Sequence, residues 1–163
     1  MIRPTTMQDI SKVQHIAKAS WSVTYRNIFP KDVQTTILEK AYSSMMLAKQ
    51  FEKSIFLLAE YNEKPIGFAS FTPVDEDGDA ELTAIYILPE YQQLGYGKQL
   101  MEAGLAKMPE GKQLFIYVES DNDKARLFCE DFGFEYLEEF EEYMEGHLIN
   151  TAKYVYLLKT PVY

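Results

Sequence analysis

The chain has 163 residues, 47% of them hydrophobic and 14% aromatic, and 25 Asp and Glu against 16 Lys and Arg leave a net charge of −9. That composition fills a core and excludes disorder, while the acidity and the lack of a basic cluster exclude a phosphate-tracking nucleic-acid binder. No run approaches the roughly 20 apolar residues of a membrane span, and the start lacks a signal peptide's apolar segment, so the chain reads as a single cytoplasmic domain over 1–163.

Thr6-Met7-Gln8-Asp9 resembles a capping box with Asp in the fourth place. Ile10, Val13, Ala17, Ser20, Trp21 and Thr24 then recur at three- and four-residue steps, which predicts an amphipathic helix. Pro30-Lys31-Asp32 opens a short second helix to about Leu38, and 43–52 reads as another helical piece. Ile55 to Tyr61 is a buried-looking strand that Asn62-Glu63-Lys64 turns back into a second, Ile66 to Thr72. The acidic Asp75-Glu76-Asp77-Gly78-Asp79 is a loop, and a third strand runs from Glu81 to Ile87, ended by Pro89. A helix from about Gly95 to Met108 and a strand from Gln113 to Val118 follow. The next helix, about Asp123 to Phe132, places Ala125, Phe128, Cys129 and Phe132 on one face. Strands near 134–144 and 153–159, joined around Gly146, complete an order of roughly β-α-α-β-β-β-α-β-α-β-β, a mixed α/β pattern.

The charge is uneven. Residues 75–81 sum to −5 and 127–152 to −8, whereas 1–74 carry +3, 82–126 carry −1 and the tail from Lys153 carries +2. Such a chain suits a cationic or neutral small partner. Its one cysteine, Cys129, forms no internal disulfide, and its two histidines, His15 and His147, lie far apart without a metal-ligand pattern, so no metal is expected.

The densest chemical signal is Gln92-Gln93-Leu94-Gly95-Tyr96-Gly97-Lys98, between a strand and a helix. Two glycines leave the backbone bare, so successive N–H groups can approach a phosphate, the helix N-terminus adds a positive dipole end, and Lys98 adds a cation. A plain strand-to-helix turn has the same glycines. The segment fits neither the nucleoside-triphosphate loop nor the three-glycine dinucleotide fingerprint.

Strand, proline, then Gln-x-x-Gly-x-Gly opening a helix resembles the acyl-coenzyme A signature of the GNAT superfamily of N-acetyltransferases. A second block agrees: Asn122, Ala125, Phe128, Gly133 and Phe134 match that family's downstream Asn-x-x-Ala-x-x-Phe-Tyr-x-x-x-Gly-Phe pattern. The resemblance covers roughly 55–160, with the amino-terminal helices on the variable substrate side. It implies a mostly antiparallel, twisted sheet of six to seven strands with helices on both faces and splayed central strands. It also implies acetyl-CoA as co-substrate and a primary amine as acceptor.

On that resemblance the backbone at Ile85, Tyr86 and Ile87 pairs with the pantetheine arm. Gln92, Gln93, Leu94, Gly95, Tyr96, Gly97 and Lys98 hold the pyrophosphate, chiefly through backbone N–H groups, with the Gln92, Tyr96 and Lys98 side chains secondary. Asn122 contacts the pantetheine or only caps its helix, and Ala125 and Phe128 wall the channel, Phe128 being equally at home in a core. Glu81, eleven residues before Gln92, stands where some members carry the general base; it otherwise continues the acidic loop. Where the family has Phe-Tyr, this chain has Phe128-Cys129. Cys129 either donates a proton to the leaving thiolate or is an inert core thiol, the reading favoured by its apolar face, and Tyr86, Tyr117 or Tyr143 could replace the missing hydroxyl. Tyr25 and Phe29 are expected to line the acceptor cleft. The acidic stretches favour a polyamine or other cationic amine. A peptide amino terminus, a lysine, or a non-catalytic coenzyme A-binding module are the alternatives, and the aromatic carboxy-terminal strands would suit a homodimer contact.

Overall fold

A computed structural model describes residues 1–158. Strands β1 (Ile2–Pro4), β2 (Ile55–Tyr61), β3 (Lys64–Phe71), β4 (Asp79–Ile87), β5 (Gln113–Glu119), β6 (Glu135–Met144) and β7 (His147–Leu157) form one sheet in the order β1-β2-β3-β4-β5-β7-β6. Only β4 and β5 run parallel; every other neighbouring pair is antiparallel. A parallel pair needs a crossover, which helix α4 (Tyr96–Leu105) supplies. The tight hairpins need none: β2–β3 turns on Asn62 and Glu63 and β6–β7 on Glu145 and Gly146, all at positive φ as a two-residue hairpin turn demands.

Three helices precede β2: α1 (Ile10–Thr24), α2 (Lys31–Ala41) and α3 (Ser44–Lys53). Val13, Ile16 and Ala17 of α1 and Leu47 of α3 cover Phe56, Leu58 and Phe68 on one sheet face. On the other face Leu100 and Met101 of α4 and Cys129 of helix α5 (Asp123–Phe132) pack on Leu57, Phe71, Leu82 and Leu114. A third cluster, Trp21, Tyr25 and Phe29, joins the end of α1 to Ile149 of β7.

Several elements depart from the sequence reading. The first strand of the predicted order is the short Ile2–Pro4, which pairs with β2. Its anchor is Arg3, whose guanidinium reaches Asp9 at 2.8 and 2.9 Å and Glu60 at 2.7 Å. Asp9 also accepts the Thr6 N–H at 2.8 Å, so the capping box forms as expected. The Arg3 hydrogen bonds hold the buried Asp9 carboxyl well below the usual carboxylate range, against the opposing effect of burial. The helix expected to reach Met108 ends at Leu105, and Met108 is buried from the following turns. Strand β7 begins at His147, six residues before the predicted Lys153, because hairpin pairing with β6 carries His147-Leu148-Ile149-Asn150 into the ladder. The last residue of that predicted strand, Lys159, lies outside the described residues.

Candidate active site

The site begins as a fork in the sheet. β4 and β5 pair only through Asp79–Glu81 against Gln113–Phe115. Past that point β4 stays on β3, with a register shift between Ser70 and Phe71, while β5 follows β7 as far as Glu119. The Leu88 N–H donates to Ile66 O at 2.8 Å. By strand alternation, the peptide groups of Ala84 and Tyr86 then serve β3, and those of Ile85 and Ile87 face the gap. The gap opens into a cavity of about 1210 Å³ bounded by β4, β5, the ends of α1 and the starts of α4 and α5.

The turn into α4 closes one end. Gln93 and Gly95 take positive φ, 63° and 91°, and Gly95 is the left-handed N-cap. Gln99 donates to Gly95 O at 3.1 Å as the first bond of the helix, so the N–H groups of Tyr96, Gly97 and Lys98 have no helical acceptor and sit on the cavity wall. A Cβ on Gly97 would stand 2.9 Å from Phe128 Cε1; only a bare backbone lets that ring close on the turn. Gln93 also lines the cavity, whereas Leu94 points away, 63% exposed. The Gln92 side chain, expected to help hold phosphate, is committed elsewhere: its Nε2 donates to Ile87 O at 3.0 Å and straps the turn to β4. Lys98 stays exposed, its Nζ 3.9 Å from Glu102.

Ile85, Tyr86, Ile87, Asn122, Ala125 and Phe128 line the cavity as the sequence places them. Asn122 caps α5, its Oδ1 accepting the Ala125 N–H at 3.2 Å, so the capping role is filled. Cys129 lies along the inner wall of the cavity but is fully buried under α5, and burial pushes its thiol up to about 12, which suits packing rather than proton donation at neutral pH.

The acceptor-side expectations divide. Tyr25 lies on the wall, and its hydroxyl is 3.2 Å from that of Tyr86, with burial raising both phenols above their ordinary range. Phe29 is not on the wall. It is 2% exposed and packs behind, against Trp21, Tyr25 and His147, because its spacing from Tyr25 turns it into the third core cluster. Tyr117 lines the cavity, but Tyr143 is 73% exposed on β6 and outside it. Glu81 is also outside the lining: it occupies the last paired position of the fork, its N–H donating to Thr72 Oγ1 at 2.8 Å and its carbonyl accepting the Thr72 N–H at 2.9 Å. Burial raises its carboxyl above the ordinary range.

Sequence reasoning missed Glu119. It ends β5 on the wall, and burial raises its pKa while the Tyr25 hydroxyl and the Asn122 side chain pull it down. A signal existed: in Gln113-Leu114-Phe115-Ile116-Tyr117-Val118-Glu119, alternation sets Glu119 opposite the core residues Leu114, Ile116 and Val118.

A forked parallel pair with a glycine-bared turn is the arrangement the resemblance implied, and the family comparison decides it. The Acetyltransferase (GNAT) family profile matches residues 13–134. The chain belongs to the GNAT acetyltransferase family. This GNAT protein is 29% identical over 126 residues to the uncharacterized N-acetyltransferase YuaI of Bacillus subtilis, covering 74% of this chain and 72% of that one. It is 27% identical over 141 residues to a spermidine N(1)-acetyltransferase of Thermoplasma acidophilum, covering 82% and 86%. In fold it is similar to the PaiA N-acetyltransferase of Thermoplasma acidophilum, solved in complex with coenzyme A, at a TM-score of 0.81, 23% identity and coverage of 96% and 98%. The ribosomal-protein-S18-alanine N-acetyltransferase of Escherichia coli shares the fold at a TM-score of 0.74 and 20% identity, covering 99% and 96%. The mostly antiparallel seven-stranded sheet with helices on both faces is therefore the GNAT fold, and the activity is N-acetyl transfer. Among the described residues no helix is long and apolar enough to cross a membrane.

Proposed function

We propose that this GNAT protein transfers acetyl from acetyl-CoA to the primary amine of a small cationic molecule, a polyamine above all. One observation carries the reading: a single cavity joins the free N–H groups of 96–98 at one end to a partly buried carboxylate and two hydroxyls at the other. The helix N-terminus suits the pyrophosphate, the edge of β4 left open at Ile85 and at the Ile87 N–H suits the pantetheine amides as an added strand, and Asn122, Ala125 and Phe128 wall the same channel. The acceptor would enter beside Tyr25. An alkyl ammonium, of pKa ~10.4, must lose a proton before it attacks the thioester carbonyl. The new N–C bond then forms as the C–S bond breaks, and the thiolate takes up a proton to leave as free coenzyme A.

Two further facts support a cationic acceptor: the net charge of −9 and the 27% identity to a protein named as a spermidine acetyltransferase. Incubation with acetyl-CoA and a panel of polyamines, amino acids and peptides, read as thiol release, tests it. Polyamine turnover well above the rest is expected. Turnover confined to peptides would replace the acceptor class, and coenzyme A binding without turnover of any amine would leave a sensor.

A further inference from the structure

Five acidic residues lie on the cavity wall: Glu102, Glu119, Asp121, Asp123 and Asp131. Four are exposed, and Glu119 alone is partly buried. Among the described residues, no Lys or Arg pairs with it. Its partner across the β5–β7 ladder is Thr151, whose hydroxyl donates instead to Glu142 Oε2 at 2.5 Å. Glu142 adds a second negative charge, which raises the Glu119 carboxyl further. Drawing a carboxylate even partly out of water disfavours its charged form unless a cation faces it. The missing positive charge is one that a ligand can bring.

The Tyr25 and Tyr86 hydroxyls lie 3.2 Å apart, and either can donate to the other; when Tyr86 donates, the Tyr25 O–H is free to turn to Glu119. The Tyr25 hydroxyl and the Asn122 side chain both draw the Glu119 carboxyl down, and a carboxylate offers roughly four acceptor sites. Sites are left for an ammonium. Glu119 lies four residues beyond Phe115, the β5 partner of Glu81. At ~3.3 Å per residue it stands about 13 Å further into the open fork than the closed end where Glu81 sits.

We propose that Glu119, steadied by the Tyr25 hydroxyl, receives the acceptor's ammonium and takes its proton. This rests on the amine-acetylation reading. The proton moves from nitrogen to the Glu119 carboxylate, the freed amine attacks the thioester, and the carboxylic acid returns its proton to solvent. The charged and titratable groups facing Glu119 are Tyr25 from the end of α1, Tyr86 from β4 and Glu142 from β6.

The test uses spermidine as probe with the coenzyme A-loaded protein, by calorimetry, together with the pH profile of kcat/KM. Glu119→Gln is expected to bind spermidine at least tenfold more weakly, to lose at least about a hundredfold in kcat/KM, and to lose the acidic limb of the profile, with acetyl-CoA affinity within twofold of the parent. Because burial raises the carboxyl, that limb in the parent lies above the ordinary glutamate range. Glu119→Asp recovers part of the loss, and Tyr25→Phe moves the limb to higher pH, which keeps the proposal testable should Glu119→Gln fold poorly. Spermidine binding and a pH profile unchanged in Glu119→Gln would overturn it. So would a parent protein that binds no spermidine, or a lost limb in Glu81→Gln with Glu119→Gln unaffected. A parent that binds spermidine through Glu119 yet acetylates no amine would sink the transfer reading and leave the anchor standing.

Discussion

Gly95→Ala isolates the geometry of the turn from its packing. Gly95 holds φ 91° and ψ 1°, and a Cβ built there meets nothing within 4 Å, so the substitution adds strain without a clash. An L-residue in the left-handed region costs about 1–2 kcal/mol. Against a typical stability of about 5–15 kcal/mol the protein stays folded, with Tm lowered by about 2–8 °C at this chain length. Where the free protein relieves the strain by swinging the peptide, the N–H groups of 96–98 turn away and must be turned back on binding. The same 1–2 kcal/mol then appears as about a fivefold to thirtyfold loss of acetyl-CoA affinity. Calorimetric titration with acetyl-CoA alongside a thermal melt reads both numbers. A Tm and an affinity both unchanged would refute the strained-turn reasoning, because the ~1–2 kcal/mol would then appear in neither folding nor binding.

Asp9→Ala leaves Arg3 with Glu60 alone and removes the acceptor for the Thr6 N–H; about 3 kcal/mol of stability should go, or roughly 6–12 °C of Tm. Because the folded pKa of Asp9 is depressed, its contribution is full above the unfolded carboxylate value near ~3.9 and shrinks as pH falls below it. Urea midpoints of parent and variant should therefore keep their full gap above pH 5 and draw together only as pH falls below about 4 toward the depressed folded value, and a gap unchanged between pH 5 and pH 2 would contradict the ion-pair account. The linkage for Glu119 has the opposite sign: its pKa is raised, so its contribution is present at low pH and lost as pH rises through the folded value. Glu119→Gln should accordingly raise Tm at pH 7 and lose that advantage at pH 4. Cys129, fully buried with its thiol pushed up to about 12, should react with N-ethylmaleimide only as fast as the protein opens. Labelling of the native protein at the rate of a free thiol would return Cys129 to the list of proton donors.

The elements legible in the sequence were those whose periodicity decides their burial: α1 by its three- and four-residue steps, β2 and β3 by apolar runs around a turn, α5 by Ala125, Phe128, Cys129 and Phe132. Three-residue β1 has too few positions for any period, and what holds it is the pairing of Arg3 with Asp9 and with Glu60, the latter far along the chain and so invisible as a local pattern. The Gln-x-x-Gly-x-Gly segment was legible because backbone geometry restricts residue type: φ 91° at Gly95 and the Phe128 ring against Gly97 both select glycine. Catalytic side chains carry no such restriction. Glu81 matched by its distance from Gln92 but sits in the closed part of the fork, and Phe29 matched by its aromatic character but turns into the core. Glu119 needs the fork itself to become significant, since a strand-ending glutamate is ordinary until its neighbouring strand departs and leaves it partly buried on the cavity wall without a cation.

The distribution of charge makes the same point from the other side. Segment sums direct attention to 127–152, yet six of its eight acids, Glu135, Glu138, Glu139, Glu141, Glu142 and Glu145, lie on β6 or its turn, where some are balanced locally: Glu139 by Arg126 at 3.2 Å and Glu145 by Lys40 at 3.0 Å. Solvent and salt screen such exposed charges beyond about 10 Å, so their service to a cationic acceptor is attraction at a distance. Discrimination needs a charge that water screens less. Partly buried Glu119 supplies one from residues 82–126, whose sum is only −1. Burial rather than number therefore decides which acid can distinguish an amine, and the fork between β4 and β5 is what buries this one while leaving it open to the cavity.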